Sequence, residues 1–183
     1  MSVAPSESPQ PLVRVRLAVV DDAEAMRTIY NHEVENHTTT LDLVPRTLEA
    51  QQDWIAQRSG AFSAVVAQLD DDDQEHGREH GTVVGFASLS PYRERAAYST
   101  TVENSVYVSR AHGGRGIGRA MMDHLIEVAR DSGFHSMIAR IEASGEASLA
   151  LHRACGFELV GIERQVGRKH RRWLDMAVMQ LML

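Results

Sequence analysis

The chain has 183 residues, of which 43% are hydrophobic, with a net charge of −6 and one cysteine. This length suits one globular domain, and the acidic balance argues against a general nucleic-acid or membrane-surface protein, because such a protein needs a basic face. The lone Cys155 excludes an intrachain disulfide, and the first ten residues lack the apolar core of a signal peptide. The apolar runs are too short to cross a bilayer, so we expect a cytoplasmic protein.

The N-terminal part of the chain begins with a segment unlike the rest. Residues 1–11 hold three prolines and predict a disordered tail before a single domain over 12–183. Alternating apolar residues predict a strand over 12–20. Asp21, followed three residues later by Glu24, predicts a capping box that opens a first helix.

The next part of the chain predicts a second helix and a hairpin. Thr47 is the expected N-cap of this helix, which closes near Gly60. Strands are predicted at 62–69 and 82–89, joined by the acidic run 70–81. We interpret this run as a solvated hairpin tip rather than a divalent-metal site, because runs of like charge are typical of solvated surface.

The C-terminal half alternates strands and helices before it ends on two strands. The predicted elements are a strand over 102–108, a helix over 117–130 closed by Gly133, a strand at 136–141, a helix at 145–154, and strands at 157–164 and 173–182. The order β-α-α-β-β-β-α-β-α-β-β has too many direct strand-to-strand joins for a doubly wound sheet, while its β-α-β unit implies a parallel pair. We therefore predict an α/β (α+β) fold with a mixed central sheet flanked by helices.

A glycine-rich turn between the strand at 102–108 and the helix at 117–130 is the most informative stretch. It carries four glycines, Gly113, Gly114, Gly116 and Gly118. Three arginines, Arg110, Arg115 and Arg119, give it a local excess of positive charge. Backbone N–H groups and the positive end of a helix dipole at such a junction suit a phosphate. A turn that only connects strand and helix is the alternative, although it needs one glycine with positive φ rather than four.

Two nucleotide motifs fail on particular residues of this turn. A dinucleotide fingerprint counted from Gly114 has Arg119 in place of its last glycine. A P-loop counted from Gly113 has Ala120 in place of the Ser or Thr that ligates Mg²⁺. The third alternative is the pyrophosphate of coenzyme A.

Residues 110–118 resemble the acyl-CoA loop of the GCN5-related N-acetyltransferases (GNAT), with the pattern Gln/Arg-x-x-Gly-x-Gly/Ala. Gly116 and Gly118 match its glycines, whereas Gly113 stands in the Gln/Arg place, which removes a side chain but keeps the backbone donors. The resemblance is to the phosphinothricin and methionine sulfoximine acetyltransferase branch and covers 13–183. It rests on Ile-Tyr-Asn at 29–31, Tyr-Arg at 92–93, Thr-Val-Glu-Asn-Ser-Val-Tyr-Val at 101–108, Ala-Ser-Leu-Ala-Leu-His-Arg-Ala-Cys-Gly-Phe at 147–157 and Val-Gly-Arg-Lys-His-Arg-Arg-Trp-Leu-Asp at 166–175.

This resemblance implies the GNAT fold, with about seven strands, about four helices and splayed parallel strands that hold acetyl-CoA. The implied acetyl-CoA contacts are Val106, Tyr107, Val108, Gly113, Gly114, Arg115, Gly116, Ile117, Gly118, Arg119, Gly145 and Ser148. A free N–H near Val108 is the implied oxyanion donor. Gly145 stands where the branch has an asparagine, and loss of that hydrogen bond weakens coenzyme binding by roughly 1 kcal/mol.

Two residues are implied to be catalytic. Glu103 takes the place of the general base that accepts the amine proton, although the residues alone favour an ordinary strand carboxylate that faces solvent or pairs with an arginine. His152 occupies the place where many relatives have a tyrosine near the coenzyme sulfur. It either protonates the thiolate or packs beside the coenzyme, and the sequence leaves both alternatives open.

The implied substrate pocket draws on separate parts of the chain. Arg93 matches the arginine expected to bind the substrate carboxylate, for which a planar guanidinium is suited. Tyr30, Tyr92 and Trp173 are expected to form pocket walls, and Lys169 keeps the branch pattern.

Other residues complete the expectations. Arg171 replaces the usual glycine of the branch, and Cys155 has no partner base, so we interpret it as buried filler. The histidines show no metal-ligand spacing, so we predict no metal. We expect a homodimeric N-acetyltransferase that uses acetyl-CoA to acetylate the α-amine of a small amino-acid analogue, with no nucleic-acid or membrane partner. A peptide N-terminal acetyltransferase and a non-catalytic acyl-CoA sensor are the alternatives.

Overall fold

The computed structural model describes residues 13–69 and 81–183. The predicted tail at 1–11 and residues 70–80 of the predicted hairpin tip lie outside the described residues. The strands are β1 (Val13–Leu17), β2 (Val65–Leu69), β3 (Thr82–Pro91), β4 (Thr101–Val108), β5 (Ser136–Glu142), β6 (Glu158–Lys169) and β7 (Arg172–Met182). The helices are α1 (Ala23–Asn36), α2 (Leu48–Ala56), α3 (Ile117–Asp131) and α4 (Glu146–Ala154).

These strands form one sheet in the order β1-β2-β3-β4-β5-β7-β6. The pairs are antiparallel except β4 with β5, which are parallel because α3 carries the chain back between them. The predicted order of elements and the mixed sheet are therefore confirmed. No helix in the described part of the chain is long and apolar enough to cross a membrane.

The sheet buries apolar side chains on both faces. Val102 and Met137 belong to the core beneath α3, whereas Val66 and Phe86 belong to the core beneath α1 and α2. Side chains alternate along a strand, so neighbouring residues of β4 serve different faces.

The predicted capping box of Asp21 and Glu24 is wrong. Asp22 is the N-cap of α1, and its side chain makes no capping bond. Its carboxylate instead accepts two hydrogen bonds from the Arg16 guanidinium, at 2.7 and 2.8 Å, and one from the backbone N–H of Val19 at 2.9 Å. Strand β1 ends at Leu17 rather than residue 20, and this charge-assisted pair joins it to the start of the helix.

The Thr47 cap and the Gly133 stop are confirmed, whereas α2 ends at Ala56 rather than near Gly60. The Thr47 hydroxyl accepts a hydrogen bond from the backbone N–H of Ala50 at 3.1 Å. Gly133 has a φ of +78°, and its N–H donates to the carbonyl of Arg130 at 3.0 Å, which closes α3. Strand β6 is longer than predicted because it stays paired with β7 beyond an irregularity between Glu163 and Gly167.

The turn between β6 and β7 contains two residues with strained backbone. Lys169 pairs with Arg172, so His170 and Arg171 alone form the loop. Their φ values are +48° and +63°, in the left-handed region required by a two-residue hairpin turn but disfavoured by side chains.

Replacement of Arg171 by glycine is expected to relieve this strain and raise the free energy of unfolding by about 0.5 kcal/mol, because the released strain of about 1 kcal/mol is partly offset by the larger entropy of unfolded glycine. Urea unfolding of the two proteins measures the change. Arg171→Lys keeps the strain and serves as the control. An equal gain in both variants would show that strain is not the cause.

Candidate active site

The parallel strands β4 and β5 separate in the middle of the sheet. Their pairing runs from Thr101 opposite Ser136 to Glu103 opposite Ile138, and there it stops. Beyond this point the edge of β4 over 104–108 faces a gap rather than β5. Backbone N–H and C=O groups along such an edge need hydrogen-bond partners when they are buried.

The gap opens into a cavity of about 1320 Å³. Thirteen of the residues predicted for catalysis or coenzyme binding line it: Glu103, Val106, Tyr107, Val108, Gly113, Gly114, Gly116, Ile117, Gly118, Arg119, Gly145, Ser148 and His152. Six other predicted site residues do not line it: Tyr30, Tyr92, Arg93, Arg115, Lys169 and Trp173.

Three of the glycines in the turn have different geometric reasons to lack a side chain. Gly114 and Gly116 have φ values of +75° and +77°, and Gly116 is the N-cap of α3. A Cβ on Gly118 would lie 3.0 Å from the Leu151 side chain, so this glycine permits close packing on α4. The turn therefore leaves the backbone at the N-terminus of α3 uncovered, which suits an anion.

The arginines of the turn are mostly engaged by protein carboxylates. Arg110 donates two hydrogen bonds of 2.8 Å to the carboxylate of Glu33, which is buried. Arg119 bonds both carboxylate oxygens of Asp123, at 2.8 and 2.9 Å. Within the described residues, Arg115 has no such partner and remains available to a phosphate.

Gly145 lies at the N-cap of α4, where the resembled branch has an asparagine. A Cβ built there would lie 3.0 Å from the carbonyl oxygen of Glu142. A larger residue at 145 would therefore require this carbonyl to move by a few tenths of an ångström.

Glu103 is the last residue of β4 that pairs with β5, so it stands where the gap begins. Strand alternation puts it on the opposite face from Val102, which lies in the core under α3. Burial raises the pKa of the Glu103 carboxyl above its ordinary value. The charge of Arg140 lowers that pKa, Glu163 raises it and Arg93 lowers it.

His152 lies on α4, is only 4% exposed and has a hydrogen-bond partner at each ring nitrogen. Its Nδ1 is 2.8 Å from the carbonyl oxygen of Ser148, and its Nε2 is 2.9 Å from the Asn104 side-chain nitrogen. A carbonyl only accepts, so Nδ1 carries the proton. Burial lowers the pKa of His152, which favours the neutral ring with an unprotonated Nε2.

The loop between α1 and α2 also lines the cavity. The Thr38 hydroxyl donates to the Glu142 carboxylate at 3.3 Å, and Thr39 donates to Glu33 at 2.5 Å. Glu142 lies at the end of β5 and also accepts a bond from Ser144. Sequence reasoning missed Thr38 and Glu142 because they lie 104 residues apart in the chain.

Tyr30 and Lys169 contact this loop but do not line the cavity. The Tyr30 hydroxyl donates a short hydrogen bond to Asp42 and lies 3.2 Å from the Thr40 hydroxyl. Lys169 is 3% exposed, and its ammonium donates to the carbonyls of Thr40 at 2.8 Å and Glu33 at 3.3 Å. Both residues therefore hold the wall of the cavity rather than form its surface.

The remaining predicted substrate residues lie near the surface. The Arg93 guanidinium is 4.8 Å from the ring centre of Tyr92 and 5.5 Å from that of Tyr98. No described residue forms an ion pair with Arg93. Trp173 is 60% exposed, and the Arg168 guanidinium lies 5.5 Å from its ring.

One cluster among the described residues has the composition of a metal site. Ligand atoms of His32, Glu33 and His37 lie within 4.8 Å of one another. Both oxygens of Glu33 already accept hydrogen bonds from Arg110, so a metal cation bound there would be repelled by the positive guanidinium. The cluster does not fit a metal ion without loss of that ion pair.

A glycine-rich turn at a helix N-terminus suits a phosphate, and here it adjoins an unpaired strand edge, as expected of an enzyme that uses an acyl-CoA. The sequence model of the acetyltransferase (GNAT) family matches residues 25–157. The chain therefore belongs to this family, and it is an N-acetyltransferase.

Named relatives resemble most of the chain. It is 38% identical over 169 residues to the L-methionine sulfoximine/L-methionine sulfone acetyltransferase of Pseudomonas aeruginosa, covering 92% of this chain and 94% of the relative. It is 37% identical over 167 residues to the phosphinothricin N-acetyltransferase of Streptomyces coelicolor, covering 90% and 93%. A GNAT superfamily phosphinothricin acetyltransferase from Sinorhizobium meliloti, solved in complex with acetyl-CoA, is 37% identical, with a TM-score of 0.84 and coverage of 93% and 88%.

Gly116→Ala tests whether the turn depends on its left-handed backbone. No atom lies within 4 Å of the added Cβ, so the expected loss of about 1 kcal/mol in the free energy of unfolding comes from backbone strain alone. Gly113→Ala is the matched control, since φ is −59° and the nearest atom is 3.6 Å from the Cβ. Thermal unfolding should show a lower melting temperature, and titration should show a lower affinity for acetyl-CoA, only for Gly116→Ala. Equal losses in both variants would contradict this account of the turn.

Proposed function

We propose that the protein transfers the acetyl group of acetyl-CoA to the α-amine of a small amino-acid analogue of the phosphinothricin, methionine sulfoximine or methionine sulfone type. The observation that supports this most is the half-buried carboxylate of Glu103 at the start of the gap between β4 and β5. The names of the relatives support the substrate class. A cytoplasmic location is part of the proposal and agrees with the free thiol of Cys155.

In this proposal the coenzyme lies along the open edge of β4, with its pyrophosphate on the glycine turn. Glu103 accepts a proton from the substrate ammonium, directly or through water, and the free amine attacks the thioester carbonyl. A backbone N–H near Val108 stabilises the oxyanion. The attacking nitrogen loses its second proton to solvent, and the C–S bond then breaks. Neutral His152 holds no proton on Nε2, so we assign the proton of the departing thiolate to solvent.

An amine-panel assay tests the function directly. Purified protein with acetyl-CoA is given each of the three amino-acid analogues, and thiol release is followed. We expect turnover with at least one of them. Turnover only with a peptide N-terminus would move the assignment to protein acetylation, and acetyl-CoA binding without any turnover would indicate a sensor.

The pH dependence of the reaction should follow the charges around Glu103. The base must be ionised, so kcat/KM falls as pH drops through the raised pKa of this carboxyl. Arg140→Met removes a charge that lowers the pKa, so the acid limb should move to higher pH. Glu163→Gln removes a charge that raises it and should move the limb to lower pH. Arg140→Lys is the control, and shifts in the same direction for both neutral variants would argue against Glu103 as the base.

Arg93 is proposed to bind the substrate carboxylate. Hydrogen bonds to charged groups contribute about 1.5–3 kcal/mol, so Arg93→Ala should raise KM for phosphinothricin by about 10- to 100-fold. Arg93→Lys keeps the charge but loses the planar guanidinium, so its KM should lie between those of the wild type and Arg93→Ala. Steady-state kinetics measures these KM values for phosphinothricin and for its analogue in which a carboxamide replaces the α-carboxylate. An unchanged KM, or an equal rise for the carboxamide, would remove Arg93 from this role.

We also propose a homodimer formed through β6. This edge strand exposes Leu159, Val160, Ile162 and Val166, with exposures of 51, 62, 44 and 51%. Exposed apolar side chains on an edge strand favour association. Analytical ultracentrifugation should give a dimer for the wild type and a monomer for Val160→Lys. A monomeric wild type would contradict the dimer.

A further inference from the structure

One buried carboxylate connects two walls of the cavity. Glu33 lies in the last turn of α1, is 6% exposed and lines the cavity. Its oxygen Oε1 accepts a hydrogen bond from the Nε of Arg110 at 2.8 Å. Its oxygen Oε2 accepts two, from Arg110 at 2.8 Å and from the Thr39 hydroxyl at 2.5 Å. A single oxygen atom therefore joins Arg110 to Thr39, and both of these residues also line the cavity.

The Arg110 side of this contact leads to the glycine turn. Arg110 follows the end of β4 by two residues, and its carbonyl oxygen accepts a hydrogen bond from the N–H of Gly113 at 3.3 Å. Gly113 is the first of the four glycines in the turn. An arginine that donates two hydrogen bonds to one carboxylate is held in a defined geometry. Glu33 thus fixes the point at which the turn begins.

The other side of the contact leads to the face of the sheet that carries Glu103. Glu142 lies on that face, because it is four residues beyond Ile138, the partner of Glu103. Thr38, the neighbour of Thr39, donates to the Glu142 carboxylate. The loop between α1 and α2 therefore reaches the face where, in the proposed function, the amine meets its base.

Lys169 joins the end of α1 to this loop. Its ammonium donates to the backbone carbonyls of Glu33 at 3.3 Å and Thr40 at 2.8 Å. These two carbonyls lie on either side of Thr39 in the chain, so one buried side chain closes the segment between them. A shift of the Glu33 carboxylate would therefore displace the whole segment rather than Thr39 alone.

The contact depends on the negative charge of Glu33. Burial raises the pKa of Glu33, but the hydrogen bonds from Arg110 and Thr39 outweigh it and hold the pKa below its ordinary value. The carboxylate is therefore ionised at neutral pH, and an uncharged side chain of the same shape would hold Arg110 less firmly.

We propose that Glu33 is a positioning residue for both substrates, because its carboxylate fixes the glycine turn through Arg110 and the amine-side loop through Thr39. The inference rests on the proposed transfer of an acetyl group from acetyl-CoA to an amine. Glu33 transfers no proton in this role. It holds the two walls at one spacing, so that the thioester and the amine meet beside Glu103.

Glu33→Gln tests this role, because it keeps the shape of the side chain and removes the charge. Calorimetric titration of the full chain should give an acetyl-CoA Kd about five-fold higher, since a loosened site must be ordered again on binding. KM for the amino-acid analogue that the wild type acetylates should also rise. Asp22→Asn is the control, since the Asp22 pair with Arg16 has similar hydrogen bonds but does not line the cavity. This control should leave both constants unchanged.

The direction of the change in acetyl-CoA affinity separates positioning from competition. The Arg110 side chain is 51% exposed. A purely competitive role, in which Glu33 withholds Arg110 from the phosphates of acetyl-CoA, predicts tighter binding by Glu33→Gln. Tighter binding, or unchanged Kd and KM, would overturn the proposal. A wild type that does not bind acetyl-CoA would instead contradict the proposed function itself.

Thr39 variants test the amine side, and they decide the question if Glu33→Gln does not fold. Thr39→Val removes the hydroxyl and should raise KM for the amine, whereas Thr39→Ser keeps the hydroxyl and should restore the wild-type KM. Because Thr39 and Arg110 share one carboxylate, Thr39→Val combined with Arg110→Gln should raise KM by less than the product of the separate effects. An unchanged KM in Thr39→Val, or separate effects that multiply fully, would overturn the link between the two walls.

Discussion

The missing hydrogen bonds between β4 and β5 beyond Glu103 are the constraint on which the rest of the site depends. A buried sheet normally pairs every backbone N–H and C=O group, and here one edge over 104–108 is left without a neighbouring strand. A bound molecule that runs along this edge can supply the missing partners. The parallel arrangement also requires the crossover through α3, which brings the glycine turn to the mouth of the same gap.

Strand alternation divides the chemistry of the site between two faces of the sheet. Glu103 faces the side of α1 and α2, where Arg140 and Glu163 act on its pKa. Asn104 faces α3 and α4, where it meets His152 and Met122. Consecutive residues of β4 thus face opposite sides of the sheet, and a shift of one residue in register would exchange them.

Local patterns in the sequence predicted the order of the elements, the Thr47 cap and the Gly133 stop, because these features depend on neighbouring residues. Ion pairs escaped this reasoning. Asp22 bonds Arg16, six residues before it, instead of capping α1, and Arg110 bonds Glu33, which lies 77 residues away in the chain. The role of Lys169 behind the cavity wall likewise depends on carbonyls more than 120 residues away. Such partners are set by tertiary packing, which spacing along the chain does not encode.

The central claim is that acetyl-CoA completes the unpaired edge of β4. Hydrogen–deuterium exchange with and without acetyl-CoA tests it most directly, because exchange reports whether a backbone N–H is hydrogen-bonded and protected. The account predicts slower exchange over 104–108 and over the glycine turn at 113–119 when acetyl-CoA is bound. Unchanged exchange over 104–108 at saturating acetyl-CoA would contradict it.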